Sequence, residues 1–214
     1  MHSLNMKLEN KKTVSETSTE DKIKNAAQVV FHKKGFAAAR TRDIAEEAGI
    51  NLALLNYYFR SKEKLFNIVM LETFQNFFAS IFLVFNDDIT SLDEKIEKFA
   101  SHYIDLLFQE PEIPLFIMSE IRNNPVELMQ KTGIEKAVFD SVFVQQYKKG
   151  VKEGIIKDQR FEHFMMNFMG LIVFPFIAKP LFKELIGLNE EQFNNIIKER
   201  KALIPIWIKS IISV

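Results

Sequence analysis

The 214-residue chain contains no cysteine and few residues that break helices or form hairpin turns, with seven glycines and six prolines. The lack of cysteine excludes disulfide bonds, thiolate nucleophiles and thiolate metal ligands, and it is typical of a cytoplasmic protein. No Asn-Gly dipeptide occurs and alternating apolar patterns are short, which argues against β-hairpins. We therefore predict an all-α fold.

Charge is balanced overall, because 28 Lys and Arg residues face 28 Asp and Glu residues, so there is no global basic signal for nucleic acid. The distribution is uneven, however. Residues 19–66 contain nine basic and six acidic side chains, whereas residues 67–214 carry a net excess of four acidic ones. A basic N-terminal segment on an acidic remainder fits contact with DNA through one end of the molecule.

Long hydrophobic runs are also lacking. The longest, Met165–Ala178, is interrupted by Asn167 and Pro175 and is shorter than the roughly 20 residues that span a bilayer. The lysines near the N-terminus are not followed by an apolar stretch, so we expect no signal peptide and no membrane association. Residues 1–18 are polar, and we expect a disordered arm there.

Apolar residues recur with helical spacing along most of the chain, which predicts about nine helices. Glycine, proline and asparagine clusters set their ends. The expected helices cover about residues 20–34, two short segments within 41–59, 61–85, 91–108, a short one ending near 122, 125–149, 160–178 and 190–212.

Residues 41–66 have the layout of a helix-turn-helix followed by a further helix. Thr41 is expected to cap the first helix, Asn51 the second and Ser61 the helix that follows, since their side chains can accept hydrogen bonds from first-turn amides. Gly49 suits the tight turn between them. Leu55 and Phe59 lie one turn apart and are expected to face the core. In this motif the second helix lies in the DNA major groove.

Three segments carry a family resemblance: AAQVVFHKKGF, TRDIAEEAGI and YYFRSKEKLF, in that order between residues 19 and 70. They resemble the N-terminal domain of the TetR family of transcriptional regulators. The resemblance implies a three-helix DNA-binding domain over residues 19–66 and a larger helical domain over 67–214 that binds an effector and dimerises. It further implies a repressor, released from a near-palindromic operator by a small molecule. A corepressor-dependent or activating regulator of the same fold is the alternative.

Enzyme chemistry has little support in the sequence. There is no glycine-rich phosphate loop, no cysteine and no Ser-His-Asp arrangement. Two pairs, His102 with Asp105 and Glu162 with His163, have a spacing that a metal site can use, but no third ligand accompanies them. We expect them to have surface or capping roles, or His102 or Tyr103 to act as a polar anchor in an effector pocket. We predict no metal and no cofactor.

The candidate DNA contacts fall into two groups. Residues at helix starts are expected to hold phosphates, and residues on the exposed face of the second helix are expected to read bases. Tyr58 is either a phosphate contact or a core aromatic. The phosphate group comprises Thr41, Arg42 and Lys62, with a solvated helix surface as the alternative for Arg42 and Lys62. The exposed face of the second helix comprises Asn51, Leu52, Ala53, Asn56 and Tyr57. On this face Asn56 is expected to read an adenine edge, and Leu52 and Ala53 to contact thymine methyl groups, whereas Tyr57 and Tyr58 are expected to hold phosphates or to pack.

Twenty-one phenylalanines, clustered after residue 66, are the second unusual feature. For any one of them core packing is the simpler interpretation. Aromatic and Met side chains also line adaptable apolar pockets, and the resemblance implies an effector pocket in this region. We predict a pocket for a hydrophobic or aromatic small molecule, lined by Phe78, Phe82, Tyr103, Phe116, Phe143 and Phe168.

The last two predicted helices are apolar over much of their circumference, which predicts more than one packing partner for each. The resemblance implies that the second partner is the same pair of helices from another subunit. The alternative is that the apolar stripes only close the core of one subunit. The predicted homodimer contacts are Met166, Gly170, Val173 and Ile177 on the first helix and Phe193, Ile197, Ile204 and Ile208 on the second.

Overall fold

A computed structural model of the protein describes residues 18–214. These residues form twelve α-helices and one isolated β-bridge between Ile156 and Ser213. The predicted disordered arm, residues 1–18, lies outside the described residues except for Ser18. The helices are α1 Thr19–Ala38, α2 Thr41–Glu47, α3 Leu52–Tyr58, α4 Lys62–Asn86, α5 Leu92–Gln109, α6 Ile113–Asn123, α7 Pro125–Thr132, α8 Ile134–Phe139, α9 Val142–Lys152, α10 Phe161–Ile177, α11 Lys179–Ile186 and α12 Glu190–Ile212.

The all-α prediction is confirmed, but twelve helices replace the nine expected. Residues 125–149 were expected to form one helix, yet Gly133 adopts a left-handed conformation (φ 63°) and Ser141 caps a new helix, so three helices form there. A loop was expected from Gly150, but α9 continues to Lys152. A Cβ added at Gly150 would lie 2.7 Å from Ile156 Cδ1, so the Ile156 side chain would have to shift. Helix α11 was not predicted at all.

Helices α1, α2 and α3, with the first turns of α4, enclose a small apolar core of their own. Ile23, Ala27, Phe31 and Ile44 are fully buried in it, and Leu55 contributes from α3. The regular conformation of α1 is interrupted at Gly35, whose φ is 69°. Glycine adopts this left-handed conformation at little cost. We call this unit the head.

Helix α4 connects the head to the other helices, because it packs against α1 in the head and against α5, α7, α8 and α9 outside it. Ser61 caps it, as predicted, by accepting from the Lys64 N–H. By length and composition alone α4 resembles a membrane span, as does the α10–α11 pair, which is bent by 68°. A helix buried in a folded subunit passes the same test, and α4 buries a continuous apolar face from Leu65 to Phe85.

Aromatic rings fill the centre of the remaining helices, which we call the body. Phe85 of α4 stacks on Phe143 of α9 with ring centroids 4.5 Å apart, and Phe99 of α5 lies 4.9 Å from Phe168 of α10. Helix α12 closes the body by packing along α5 and α10. The phenylalanine content of the sequence therefore serves mainly to build this core.

Candidate DNA-binding interface

The start of α2 presents two basic side chains, Arg40 and Arg42, to solvent. Arg40, rather than Thr41, is the N-cap, so the predicted capping role of Thr41 is wrong: Asp43 Oδ2 accepts the Arg40 N–H instead. The Lys34 ammonium, 2.9 Å from Asp43, lowers the pKa of that carboxyl, as does its bond to Arg40. Arg42 is exposed at the first turn of α2, where a guanidinium can reach a phosphate.

The turn between α2 and α3 has the predicted geometry. Gly49 adopts a φ of 65°, a left-handed conformation that favours glycine. Asn51 caps α3, because its Oδ1 accepts the Leu54 N–H at 2.8 Å. On α3, Leu55 is buried, and the C-cap residue Phe59 is buried with it. These contacts anchor α3 on one side and leave its other side in solvent.

The solvent side of α3 contains the predicted reading residues. Leu52, Ala53, Asn56 and Tyr57 are all exposed, and 79% of the Tyr57 surface is accessible. Tyr58 is 41% exposed, so it is not a core aromatic, and its ring meets that of Tyr57 edge-on. Leu54 is also exposed on this side, although it is not among the predicted residues. Helical spacing places it at the edge of the exposed face, so no specific signal in the sequence selects it.

Lys62 has a different placement from the other predicted phosphate contacts. Its ammonium donates to the carbonyl oxygens of Phe36, at 2.8 Å, and Ala39, at 3.0 Å, and it lies 4.2 Å from the centroid of the Phe36 ring. Carbonyls at a helix C-terminus lack intrahelical partners, and Lys62 satisfies them. Its main role in this structure is to join the start of α4 to the end of α1.

Residues 23–69, which include the whole of this surface, match the family model described as bacterial regulatory proteins, tetR family. Residues 23–69 are a DNA-binding domain of the TetR family of transcriptional regulators. The chain is 23% identical over 199 residues to the probable HTH-type transcriptional regulator YttP of Bacillus subtilis, covering 91% of this chain and 94% of that protein. It is 26% identical over 142 residues to the HTH-type transcriptional repressor NicS of Pseudomonas putida, covering 65% and 66%.

Solved structures share the whole fold of this TetR-family chain. A putative fatty acid metabolism regulator of Clostridium perfringens superposes with a TM-score of 0.61 at 20% identity, covering 90% of this chain and 99% of that one. The FadR regulator of Bacillus subtilis, solved with stearoyl-CoA, also gives 0.61, at 18% identity and with coverage of 86% and 96%. These relatives are regulators and not enzymes, in agreement with the expectation from the sequence.

The six predicted effector-pocket residues of this regulator do not surround one cavity. Tyr103 packs edge-on against Phe77, with centroids 5.1 Å apart, and burial raises the pKa of its phenol. Phe143 and Phe168 are fully buried in the aromatic core, and Phe116 packs against the head. Only Phe78 and Phe82 line an opening.

That opening is an apolar groove of about 240 Å³ between α4 and the α7–α8 segment. Its walls are almost entirely hydrocarbon and aromatic. A larger groove, of about 550 Å³, lies between α5 and α12, but charged side chains, including Asp93, Glu97 and Lys209, border it. The smaller groove is the better match to an apolar ligand, and it is lined by Phe74, Gln75, Phe78, Ala79, Phe82, Thr132 and Ile134.

The predicted dimer contacts divide into two groups. On α10, Met166 is 71% exposed, Gly170 is exposed, and Val173 and Ile177 are partly exposed. On α12, all four predicted residues are buried inside the subunit, so this part of the prediction is wrong and the alternative, core closure, holds for them. Helical rotation explains the error, because the stripe one residue earlier is the exposed one. The buried residues are Phe193, Ile197, Ile204 and Ile208, and the exposed or partly exposed stripe is Ile196, Leu203, Trp207 and Ile211.

The two pairs considered as metal ligands have partners within the subunit. Asp105 forms an ion pair with Lys201, and Glu162 forms one with Arg160. Among residues 18–214, no three His, Asp or Glu side chains come close enough together to hold a metal ion. The two carboxylates are therefore engaged by cations, whereas His102 Nε2 is buried with no hydrogen-bond partner among residues 18–214.

Proposed function

We propose that this TetR-family protein is a cytoplasmic homodimeric repressor that releases a near-palindromic operator when a hydrophobic small molecule binds. The observation that carries the proposal is the arrangement of α3, which is anchored by Leu55 and presents Ala53, Asn56 and Tyr57 to solvent beside Arg42. A helix held this way can enter a major groove while flanking cations hold the backbone. A corepressor-dependent or activating regulator with the same DNA contacts is the alternative.

The second subunit is proposed to cover the exposed faces of α10 and α12. Met166 and Phe174 on α10, and Leu203 and Ile206 on α12, are large apolar side chains that the subunit leaves in solvent. Contiguous apolar patches of this kind mark interaction sites. In the proposed dimer a two-fold axis through the patch relates two recognition helices, which would each read one half-site of an operator whose half-sites lie about 34 Å apart.

The effector is proposed to bind at the groove between α4 and the α7–α8 segment. Its apolar walls suit an acyl chain or an aromatic ring, and ligand sites are typically about 300–1,000 Å³. Because the groove is about 240 Å³, a ligand of ordinary size requires α7 and α8 to move away from α4. The left-handed glycine between those helices, Gly133, is a suitable pivot.

Helix α4 is proposed to transmit that movement to the head. It carries Phe78 and Phe82 at the groove, and at its other end it is fastened to α1 through Lys62. We expect the ligand to bind best when the spacing between the two heads does not fit successive major grooves. Such a ligand must weaken DNA binding by linkage. The α4 helix is the direct path between the two sites.

Selection of bound duplexes from a random DNA pool tests the operator proposal. The expected result is an enriched motif with two-fold symmetry; failure to enrich any sequence at low salt, with protein shown to be folded, contradicts it. Stearoyl-CoA and coenzyme A alone are matched probes for the effector proposal. We expect the acylated compound to release the selected duplex and the unacylated one to leave it bound; equal effects contradict an apolar site. Phe78→Asp should abolish the release without changing operator affinity.

A further inference from the structure

The recognition helix of this protein is unusually apolar on its solvent side. Leu52 is 38% exposed and Leu54 36%, Ala53 lies between them, and Tyr57 projects beyond them. The head does not need these side chains for its own core, since Leu55 anchors α3 there. Large apolar side chains left in solvent on a DNA-contacting surface indicate what that surface contacts.

Hydrogen-bonding groups are scarce on the same face. The Asn51 side-chain oxygen is engaged by the Leu54 N–H. Asn56 is exposed and has both amide groups available for a base edge. Arg60 follows the C-terminal end of α3 in the chain, and Arg42 lies in the first turn of α2. Apart from the Asn56 amide and the Tyr57 and Tyr58 hydroxyls, the exposed side chains of α3 are therefore apolar.

The major groove offers one apolar group, the 5-methyl of thymine. We infer that Leu52, Ala53 and Leu54 read thymine methyl groups, so that these methyls, and not only hydrogen-bonding edges, define each operator half-site. The inference rests on the proposed operator binding and adds the chemical identity of what is read. The N-terminal part of a recognition helix is the part that contacts base edges, and these three residues form the first turn of α3.

Two consequences distinguish methyl reading from hydrogen-bond reading. Deoxyuridine keeps every hydrogen-bonding group of thymidine and lacks only the methyl, so a uracil-containing half-site should bind more weakly. Conversely, 5-methylcytosine presents the same methyl at the same place in the groove. A cytosine tolerated beside the leucines should therefore be bound more tightly after 5-methylation.

The test uses the full-length protein and a duplex selected from a random pool, with each thymine replaced in turn by deoxyuridine. We expect about a fourfold loss of affinity for each methyl that α3 contacts, at symmetric positions in the two half-sites, and no loss at thymines outside them. In Leu52→Ser and Leu54→Ser variants the corresponding replacement should have no effect, because the apolar partner has been removed. Ile155→Ser, at an exposed position far from the head, is the matched control.

The outcomes separate this inference from the proposed function. Tight binding of the selected duplex with equal affinity for every uracil-substituted form overturns methyl reading and leaves operator binding intact. No enriched duplex at all overturns both. Because the decisive change is made in the DNA, a variant that fails to fold does not affect the result.

Discussion

His32 Nε2 lies 3.0 Å from Thr73 Oγ1, which joins α1 of the head to the middle of α4. The imidazole also packs on the ring of Phe116 in α6, with centroids 4.8 Å apart. The head, the connecting helix and the body therefore meet at one half-buried histidine. A movement of α4 that reorients the head must break or carry along this contact.

Acid should weaken this junction. Burial lowers the pKa of His32 below its ordinary value of 6.5. At pH values between the lowered pKa and 6.5, this ring therefore binds more protons in the unfolded chain than in the folded protein. The stabilisation is complete above pH 6.5 and is lost as the pH falls through the lowered folded pKa. Denaturant unfolding should therefore show the native protein losing stability relative to His32→Gln between pH 7 and pH 5.

The comparison with His32→Gln is needed because another group titrates in the opposite sense. Burial raises the pKa of Glu120. The contribution of Glu120 to the free energy of unfolding is therefore fully present below pH 4.5 and is lost as the pH rises. Both proteins contain Glu120, so its effect cancels in the difference. Parallel stability curves for the two proteins from pH 7 to pH 5 would show that the pKa of His32 is the same in the folded and unfolded states, which contradicts the prediction.

Replacing Lys62 should destabilise the head rather than only weaken DNA binding. In Lys62→Met the carbonyls of Phe36 and Ala39 lose their donor, and the net loss of a hydrogen bond costs about 0.5–1.5 kcal/mol. Lys64→Met is the control, since Lys64 is exposed in the same turn and surface changes usually stay within about 0.5 kcal/mol. Chemical denaturation measures both; equal stability of the two variants would rule out the structural role.

Arg42 should act as a phosphate contact that is independent of sequence. Arg42→Ala should weaken binding to all duplexes and reduce the slope of log affinity against log salt by about one per contact. Arg122→Ala, an exposed arginine on α6 outside the head, should leave the slope unchanged. A salt titration of fluorescence anisotropy provides the measurement, and an unaltered slope for Arg42→Ala would remove this residue from the interface.

Replacing Gly170 should block dimer formation without affecting the folding of the subunit. Among residues 18–214, no heavy atom outside the local helix backbone lies within 4 Å of a Cβ added there, so Gly170→Arg has room in the isolated subunit and should fold normally. Across a close two-fold contact between α10 helices, the same side chain should block association. Sedimentation velocity should show a monomer for Gly170→Arg and a dimer for the control Gln145→Arg, which alters an exposed position on α9; a dimeric Gly170→Arg would move the interface elsewhere.

The head could be predicted closely from sequence because its signals are local. Gly49, Asn51 and Ser61 act on the residues beside them, and the structure gives them the predicted turn and capping roles. Thr41 is the exception, because the Asp43 carboxylate accepts the Arg40 N–H at the start of α2 and Thr41 does not act as the cap. A carboxylate three residues after the N-cap can satisfy its N–H.

The body could be predicted only in outline, because packing between helices that are distant in sequence decides which of its residues are buried. Periodicity indicates that α12 is amphipathic, but it does not decide whether Ile204 or Leu203 faces the core. Only the packing of α5 and α10 against α12 buries Ile204 and exposes Leu203. In the same way, a phenylalanine-rich sequence does not distinguish Phe143, which is stacked in the core, from Phe82, which lines a groove.

The most direct test of the central claim, that α3 reads operator sequence, is to repeat the duplex selection with Asn56→Ala. Asn56 is exposed on the reading face, and an asparagine amide can pair with an adenine edge through two hydrogen bonds. The account predicts that one symmetric pair of positions loses its preference while the rest of the motif and the affinity for random DNA are retained. An unchanged motif from Asn56→Ala, selected as strongly as by the native protein, would contradict it.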